Sequence, residues 1–439
     1  MKISFLKPKK KGEYFLVLDI GTEAVKAIIF SLSEKKDKKI TILGNSLSYF
    51  DSYGLFDSQD FEADVVKKTI SKTIKEAQEK VNQKPSEAEP SEAGDETKSQ
   101  RPPNLTLLEL PANILKGRIA FQSFKRKNSQ SIIDKKEKEV IYQKILSKAQ
   151  NEISQIFATE SGILPKDVHF INLKILEIKI DGYVVPVLQG YDGKNLDFRI
   201  LAIFLPKYYL ENIKKIIQAL IPTDFYRDKY IQEDFTKNEE GLEILHLAEA
   251  LPYFFTRRVV DGIFLDVGGN LTQIFLVNNG KLNNVDEFEI GGKTFSQALS
   301  QSLGIEISEA RVLKENYSKG ELSEEVRKRV REIFSQSLGD WFKNLKLKLK
   351  TQSIFGRGRK SGGVLLPSTF FLFGGGSQLP EIQEILEEGN WEDFSFFTPP
   401  KVKFIYPNDL RNIEDITKKL NSPQDIPALL LCYASQIYD

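Results

Sequence analysis

Short apolar runs that stop at an acid or a glycine recur along the chain. Between them lie stretches whose apolar residues fall three or four positions apart. Phe15–Leu18 leads into Asp19, Ile20, Gly21 and Thr22 and then into Ala27–Phe30, which predicts two buried strands about a glycine turn. The pattern returns at Gly262–Leu265, where Asp266, Val267, Gly268, Gly269, Asn270, Leu271 and Thr272 lead to the run Gln273–Val277. The shared outline suggests an internal duplication of one supersecondary unit. A third run, Thr369–Phe373, opens onto Gly374, Gly375, Gly376 and Ser377, with a helix predicted from Glu381. Leu105–Leu110 is a further strand-like run, and Val168–Ile180 and Phe198–Leu205 are β-rich runs with turns at 181–182 and 190–193. Apolar spacing predicts helices over residues 61–80, 135–160, 207–220, 242–255 and 323–349. In the last of these Val326, Val330, Ile333, Phe334, Leu338, Trp341, Phe342 and Leu345 share one face. Ser323 is its candidate N-cap, and Glu324 and Glu325 in the first turn match the helix dipole.

The length of 439 residues gives roughly three domains at about 150 residues each. Sixty-two basic and 61 acidic residues leave a net charge of +1, so there is no global drive toward nucleic acid, and none is expected as a partner. The balance hides local patches: five lysines in residues 1–11, five acids in 85–97 and seven basic side chains in 343–363. The acidic patch lies in a Pro/Ser/Glu-rich stretch over residues 80–104 that reads as a disordered loop. Cys432 is the single cysteine, and His169 and His246 are the only histidines. Intrachain disulfides, Cys-rich zinc sites and His-rich metal sites are thereby excluded. No apolar run reaches the ~18 residues that span a bilayer, and the basic N-terminus lacks a signal-like apolar segment, so a cytoplasmic protein is expected.

The three strand–glycine units carry the candidate chemistry. A glycine turn after a strand lets backbone N–H groups approach phosphate oxygens with no Cβ in the way. Asp19 and Asp266, each at the end of a strand, are candidates to hold Mg²⁺ through waters. The hydroxyls of Thr22 and Thr272 are candidate phosphate donors, and Gly374, Gly375 and Gly376 suit close packing of a nucleoside.

In this order the units resemble the actin-type ATPase superfamily. Asp19–Thr22 is similar to its first phosphate motif and Asp266–Gly269 to its second. Ile290, Gly291 and Gly292, with a following helix that contains Lys314, resemble the segment that reaches ribose and base. Gly374–Ser377 resembles the adenosine motif, and Pro427–Ala434 the second connecting helix. Glu243–Ala250 resembles the first connecting segment, whose first acid faces the γ-phosphate in that superfamily, so Glu243 is the implied residue that orients or activates water. Val168–Ile203, between the phosphate motifs, is similar to the inserted small domain of the family of the bacterial division protein FtsA. Residues 25–26 and the basic opening look more like PilM, the FtsA relative of type IV pilus assembly.

The resemblance implies an α/β, actin-like two-lobed ATPase fold of duplicated ribonuclease H-like domains with an FtsA-type inserted domain. The expected layout is a basic tail over 1–12, a first lobe over 13–117 and 206–258, and the inserted domain over 118–205. A second lobe is expected over 259–295, 296–365 and 366–439. Implied ligands are ATP and Mg²⁺, held by Asp19, Gly21, Thr22, Lys26, Asp266, Gly268, Gly269, Asn270, Thr272, Gly291, Gly292, Lys314 and Gly374–Ser377. Turnover is expected to be slow, because Gln273 stands where the family carries an acid and an amide cannot take a proton. Implied partners are the FtsZ C-terminal peptide, or alternatively an inner-membrane pilus protein, and further copies of the chain in filaments. The basic patches add peripheral contact with anionic membrane at the cytoplasmic face.

Overall fold

The computed structural model describes residues 14–33, 39–51, 54–56, 61–82, 103–220, 241–255, 260–355 and 365–435. The basic segment 1–12, the acidic segment 85–97 and residues 356–363 of the basic stretch lie outside the described residues. The described chain divides into two compact units, one holding residues 114–215 and the other most of the remainder.

The larger unit is built on two sheets. The first contains β1 (Phe15–Ile20), β2 (Ala24–Leu32), β3 (Ile40–Tyr49) and, after helix α1 (Ala63–Asn82), β4 (Leu105–Glu109). β1 is apolar at nearly every position because its residues are buried on both faces of the sheet. It pairs antiparallel with β2 and parallel with β4. Helix α1 packs on β2 and β3.

The smaller unit follows. It holds β5 (Lys116–Lys125), α2 (Lys135–Ser161), β6 (Val168–Ile180), β7 (Tyr183–Val185) and β8 (Asn195–Pro206) in an antiparallel sheet of order β5-β8-β6-β7. α2 covers this sheet with Ile141, Ile145, Ala149, Ile153 and Phe157. Asp134 caps its first turn by accepting from the Glu137 N–H at 2.7 Å. Asp181 and Gly182, at φ 47° and 90°, make the tight turn that joins β6 to β7.

After α3 (Leu210–Leu220) the chain returns to the first sheet as β9 (Leu242–Ile244), then α4 (Leu247–Ala250) and α5 (Pro252–Phe255). The single helix expected over 242–255 is therefore wrong. Residues 242–244 pair with β4 as an edge strand, and sheet pairing overrides the local helical spacing.

The second sheet comprises β10 (Gly262–Val267), β11 (Thr272–Asn278) and β12 (Lys281–Phe288), then, after helices α6 (Gly292–Leu303), α7 (Ile307–Ser318) and α8 (Glu324–Phe355), β13 (Leu365–Leu366) and β14 (Thr369–Phe373). Helix α9 (Pro380–Glu388) and strands β15 (Ser395–Phe396) and β16 (Lys401–Phe404) complete it, with β13 and β15 pairing apart from the main sheet. α8 buries Val330, Phe334, Trp341, Phe342 and Leu345 as the stripe predicts. Val326, in its first turn, is instead 41% exposed and lies outside the stripe.

The strand orders are β3-β2-β1-β4-β9 and β12-β11-β10-β14-β16. Each central strand has a hairpin partner on one side and a parallel crossover partner on the other. The duplication suggested by the glycine turns is thus one of whole sheets. The expected second-lobe segment 366–439 divides: β17 (Ile413–Asp415) pairs with β3, and α10 (Ile426–Ala434) packs on β1, β2 and α4. Every residue of α10 is buried, and so apolar a helix has to lie between other layers. No helix among the described residues is long and apolar enough to cross a membrane.

Candidate functional site

The glycine turns of the two sheets face one another across a cavity of about 530 Å³, within the range that encloses a small-molecule ligand. Asp19 is the penultimate residue of β1, and Gly21 N–H donates to Ala24 O at 2.9 Å to close the first turn. Asp266 lies near the end of β10, and Gly268 N–H donates to Leu271 O at the same 2.9 Å. The turns touch: Asn270 N–H donates to the Thr22 hydroxyl at 3.1 Å. A Cβ on Gly269 would fall 2.5 Å from that hydroxyl, so the close approach requires glycine. The second turn is tied to the start of α6 by Gly292 N–H donating to Gly268 O at 2.9 Å.

The third turn begins at Gly374, whose φ of +88° suits glycine. Its backbone lies against the Asp266 carboxylate, and a Cβ there would stand 2.1 Å from Oδ1. Lys314 lines the opposite wall and donates from Nζ to Gly292 O at 2.8 Å. Burial lowers its pKa, which the carboxylates of Glu23 and Glu315 partly oppose. At the mouth, Arg311 lies 4.1 Å over the Tyr49 ring, and the Tyr49 hydroxyl donates to Glu315 at 3.4 Å. Burial, with the Glu315 charge second, pushes that hydroxyl up to about 12.

The cavity is lined by Asp19, Gly21, Thr22, Lys26, Asp266, Gly268, Gly269, Asn270, Gly292, Lys314, Gly374, Gly375 and Gly376, as the sequence expects. Gly291 is the N-cap residue of α6, behind the second turn. Three expected residues are engaged elsewhere. The buried Thr272 hydroxyl donates to Ile290 O at 2.8 Å and accepts from Trp341 Nε1 at 2.9 Å, so it holds β11 to α8 and presents nothing to a phosphate. The buried Ser377 hydroxyl donates to Gly374 O at 2.8 Å and closes its own turn. Glu243 sits on β9, in register with Leu107 of β4, and is not among the cleft-lining residues.

The acid present there is one the sequence reading missed. Glu109 ends β4, pairs in register with Asp19 and lines the cleft. In the second sheet the matching register position is Phe373, beside Asp266, so only the first sheet supplies this carboxylate. Glu109 is 7% exposed; Oε1 accepts from Leu247 N–H at 3.0 Å, and Oε2 is buried without a hydrogen-bond partner. Burial, then the charges of Asp19 and Asp266, raise its pKa well above the carboxylate range. The same causes, burial first and Asp19 second, push Asp266 up to about 7, and Lys26 opposes them.

Lys26 Nζ lies 3.6 Å from Asp19 and also donates to Gln424 O. This part of the wall therefore gathers three acids, Asp19, Asp266 and Glu109, beside one ammonium, that of Lys26. No group of three or more acids, histidines or thiols among the described residues is placed to hold a metal directly.

Gln273, facing Asp266 across the β10–β11 pair, also lines the cleft. Its side-chain amide meets His246 Nε2 at 3.0 Å. His246 Nδ1 accepts from Ala248 N–H at 3.0 Å, so the ring proton sits on Nε2, and the Gln273 amide, whose nitrogen is the atom placed against it, pairs with that N–H only with its oxygen and nitrogen exchanged. The amide is pinned, and His246 caps α4.

Residues 263–425 match the family model described as cell division protein FtsA. No curated protein matches the chain. Among solved structures, the PilM-PilN type IV pilus biogenesis complex aligns over 95% of this chain and 97% of that chain, with a TM-score of 0.60 and 14% identity. The ethanolamine utilization protein EutJ of Carboxydothermus hydrogenoformans aligns over 98% and 91% at 11% identity, with a TM-score of 0.41. The chain thus has an actin-like ATPase fold, and its residues 263–425 are similar to the FtsA family.

Proposed function

We propose that the cleft binds ATP with Mg²⁺ and that the bound nucleotide stabilises a closed arrangement of the two lobes that engages a partner protein. The observation that carries this is the meeting of two glycine turns, each preceded by a strand-terminal aspartate, around one cavity. The residues fit such a ligand. Asp19 and Asp266 would hold the hydrated ion, and the turns at 20–23 and 267–271 would flank the phosphates. Lys314 and Gly374–Gly376 border the remaining space, where a nucleoside would lie. Mg²⁺ supplies the charge neutralisation that lets a triphosphate sit beside carboxylates.

Chelation is therefore expected to weaken ATP binding at least tenfold, measured by calorimetric titration with Mg²⁺ and with EDTA. Equal affinity in both would remove Asp19 and Asp266 from the role of ion holders.

We infer that the partner is the cytoplasmic segment of an inner-membrane protein of a type IV pilus or related secretion platform. The PilM structure, solved with PilN, matches this chain along nearly its whole length. The second reading is a division scaffold that polymerises and links FtsZ to the cytoplasmic membrane, and the FtsA match over residues 263–425 favours it. Titration with an FtsZ C-terminal peptide and with a PilN-type cytoplasmic peptide separates them. Micromolar binding is expected for the PilN-type peptide only, and the reverse preference would establish the division reading. In either case residues 1–11, outside the described residues, carry the basic charge available to anionic lipid.

A further inference from the structure

Glu109 has no role in ion holding as assigned above, yet its place is costly. A carboxylate more than nine-tenths buried, with one oxygen lacking any partner and two like charges nearby, destabilises an empty site. Groups kept at such a cost concentrate where a ligand completes them.

Other polar side chains on the cleft wall are engaged. Asp19 is paired with Lys26. Asp266 abuts the Gly374 backbone. The Gln273 side-chain amide is held 3.0 Å from His246 Nε2. Glu23 lies beside Gly269 and interacts with Lys314. Glu109 Oε2 is left open, as Glu23 Oε1 is, but the Glu109 carboxylate also has its orientation fixed, by Leu247 N–H at Oε1.

Resting on the nucleotide reading above, we propose that Glu109 Oε2 is the catalytic acceptor that orients the water attacking the γ-phosphate of a bound nucleoside triphosphate. The water oxygen bonds to the γ-phosphorus as the bond from phosphorus to the β–γ bridging oxygen breaks. The electron pair leaves on the β-phosphate, and the water's proton departs on the released orthophosphate. The protein's part is positioning. A hydrogen bond accepted at Oε2 aims a lone pair at phosphorus, and Leu247 N–H keeps the carboxylate from turning away.

The Leu247 contact makes Glu109→Gln a sharp probe. That N–H requires an acceptor, so the glutamine carbonyl faces Leu247 and the NH₂ group faces the water. A donor in that place cannot orient the water's lone pair toward phosphorus.

The test measures three quantities on the full chain with MgATP: affinity, single-turnover hydrolysis, and Tm of the nucleotide-free protein. For Glu109→Gln we expect affinity within threefold of wild type, hydrolysis about 100-fold slower, and Tm raised by about 2 °C or more through loss of a buried, repelled charge. Glu109→Asp, which keeps the charge one methylene shorter, is expected to bind equally and to hydrolyse at least tenfold more slowly. Glu243→Gln is expected to match wild type throughout. Unchanged hydrolysis in both Glu109 variants overturns the proposal. A wild type that binds ATP without hydrolysing it overturns this role and leaves the nucleotide reading intact. A wild type that does not bind ATP overturns both.

Discussion

At pH 8 the nucleotide-free Asp266→Asn protein is expected to be more stable than the wild type by on the order of 2–4 kcal/mol, and to bind MgATP at least a hundredfold more weakly. The cause is the placement of Asp266 beside Asp19 in a site with one nearby ammonium, Lys26. Its pKa of about 7 in the folded chain, against an ordinary 3.8, means that folding takes up a proton between those values. The stability due to the protonated form is complete below about pH 4, declines as pH rises through about 7, and is absent above it. The full interval corresponds to roughly 4 kcal/mol, and water in the open cleft screens part of it. Glu109, whose pKa is raised by the same neighbours, acts in the same direction. Urea denaturation in EDTA at pH 5, 6, 7 and 8 reads the effect directly. Wild-type stability should fall across this range, and the Asn variant should fall less. A wild type that gains stability toward pH 8 would contradict this account of the acid cluster.

The second large effect is expected from one methyl group. Gly374→Ala places a Cβ 2.1 Å from Asp266 Oδ1 and 2.7 Å from Val267 O, at a residue with φ +88°. The positive φ alone costs an alanine about 1 kcal/mol. Relief of the overlap requires that the carboxylate or the end of β10 move, and a total cost of about 3 kcal/mol or more follows. Because Asp266 is the atom group displaced, ATP binding should be lost together with stability. Gly375→Ala is the matched comparison: its nearest neighbour would be Gln424 Cβ at 4.0 Å, so its stability should change by less than about 1 kcal/mol. Denaturation midpoints and ATP titrations of the two variants check the pair. Similar behaviour of both would show that the third turn is not held against Asp266.

The glycine turns were legible because strand, acid and glycine follow one another within a few residues. The strand-terminal acid of β4 obeys the same pattern, Leu105–Leu108 followed by Glu109, and could have been read by applying it a third time. What hid it is that no glycine follows, and that its meaning comes from parallel register with Asp19, a pairing between distant segments. Thr272 and Ser377 misled for the opposite reason. Both lie in the right local pattern, but burial turned their hydroxyls to Ile290, Trp341 and Gly374. Glu243 was placed by resemblance on the approach to a helix, whereas the chain there first adds an edge strand. The turn between β6 and β7 was legible from Asp181 and Gly182, since a turn with two positive φ angles leaves few residue choices.

The return of β17 and α10 to the first sheet bears on how this protein is made. The second sheet is assembled from one continuous stretch, residues 262–404, and every strand it needs emerges from the ribosome in a single run. The first sheet waits. Strands β1 to β3 leave early, β4 and β9 follow after long intervals, and the buried helix that covers β1 and β2 is synthesised after the whole second sheet. Contacts so distant in sequence are slow to form, and apolar strands left uncovered are the species that associate wrongly. The first lobe should therefore be the slower to mature, and truncation within residues 413–434 should damage the half of the protein that was synthesised first.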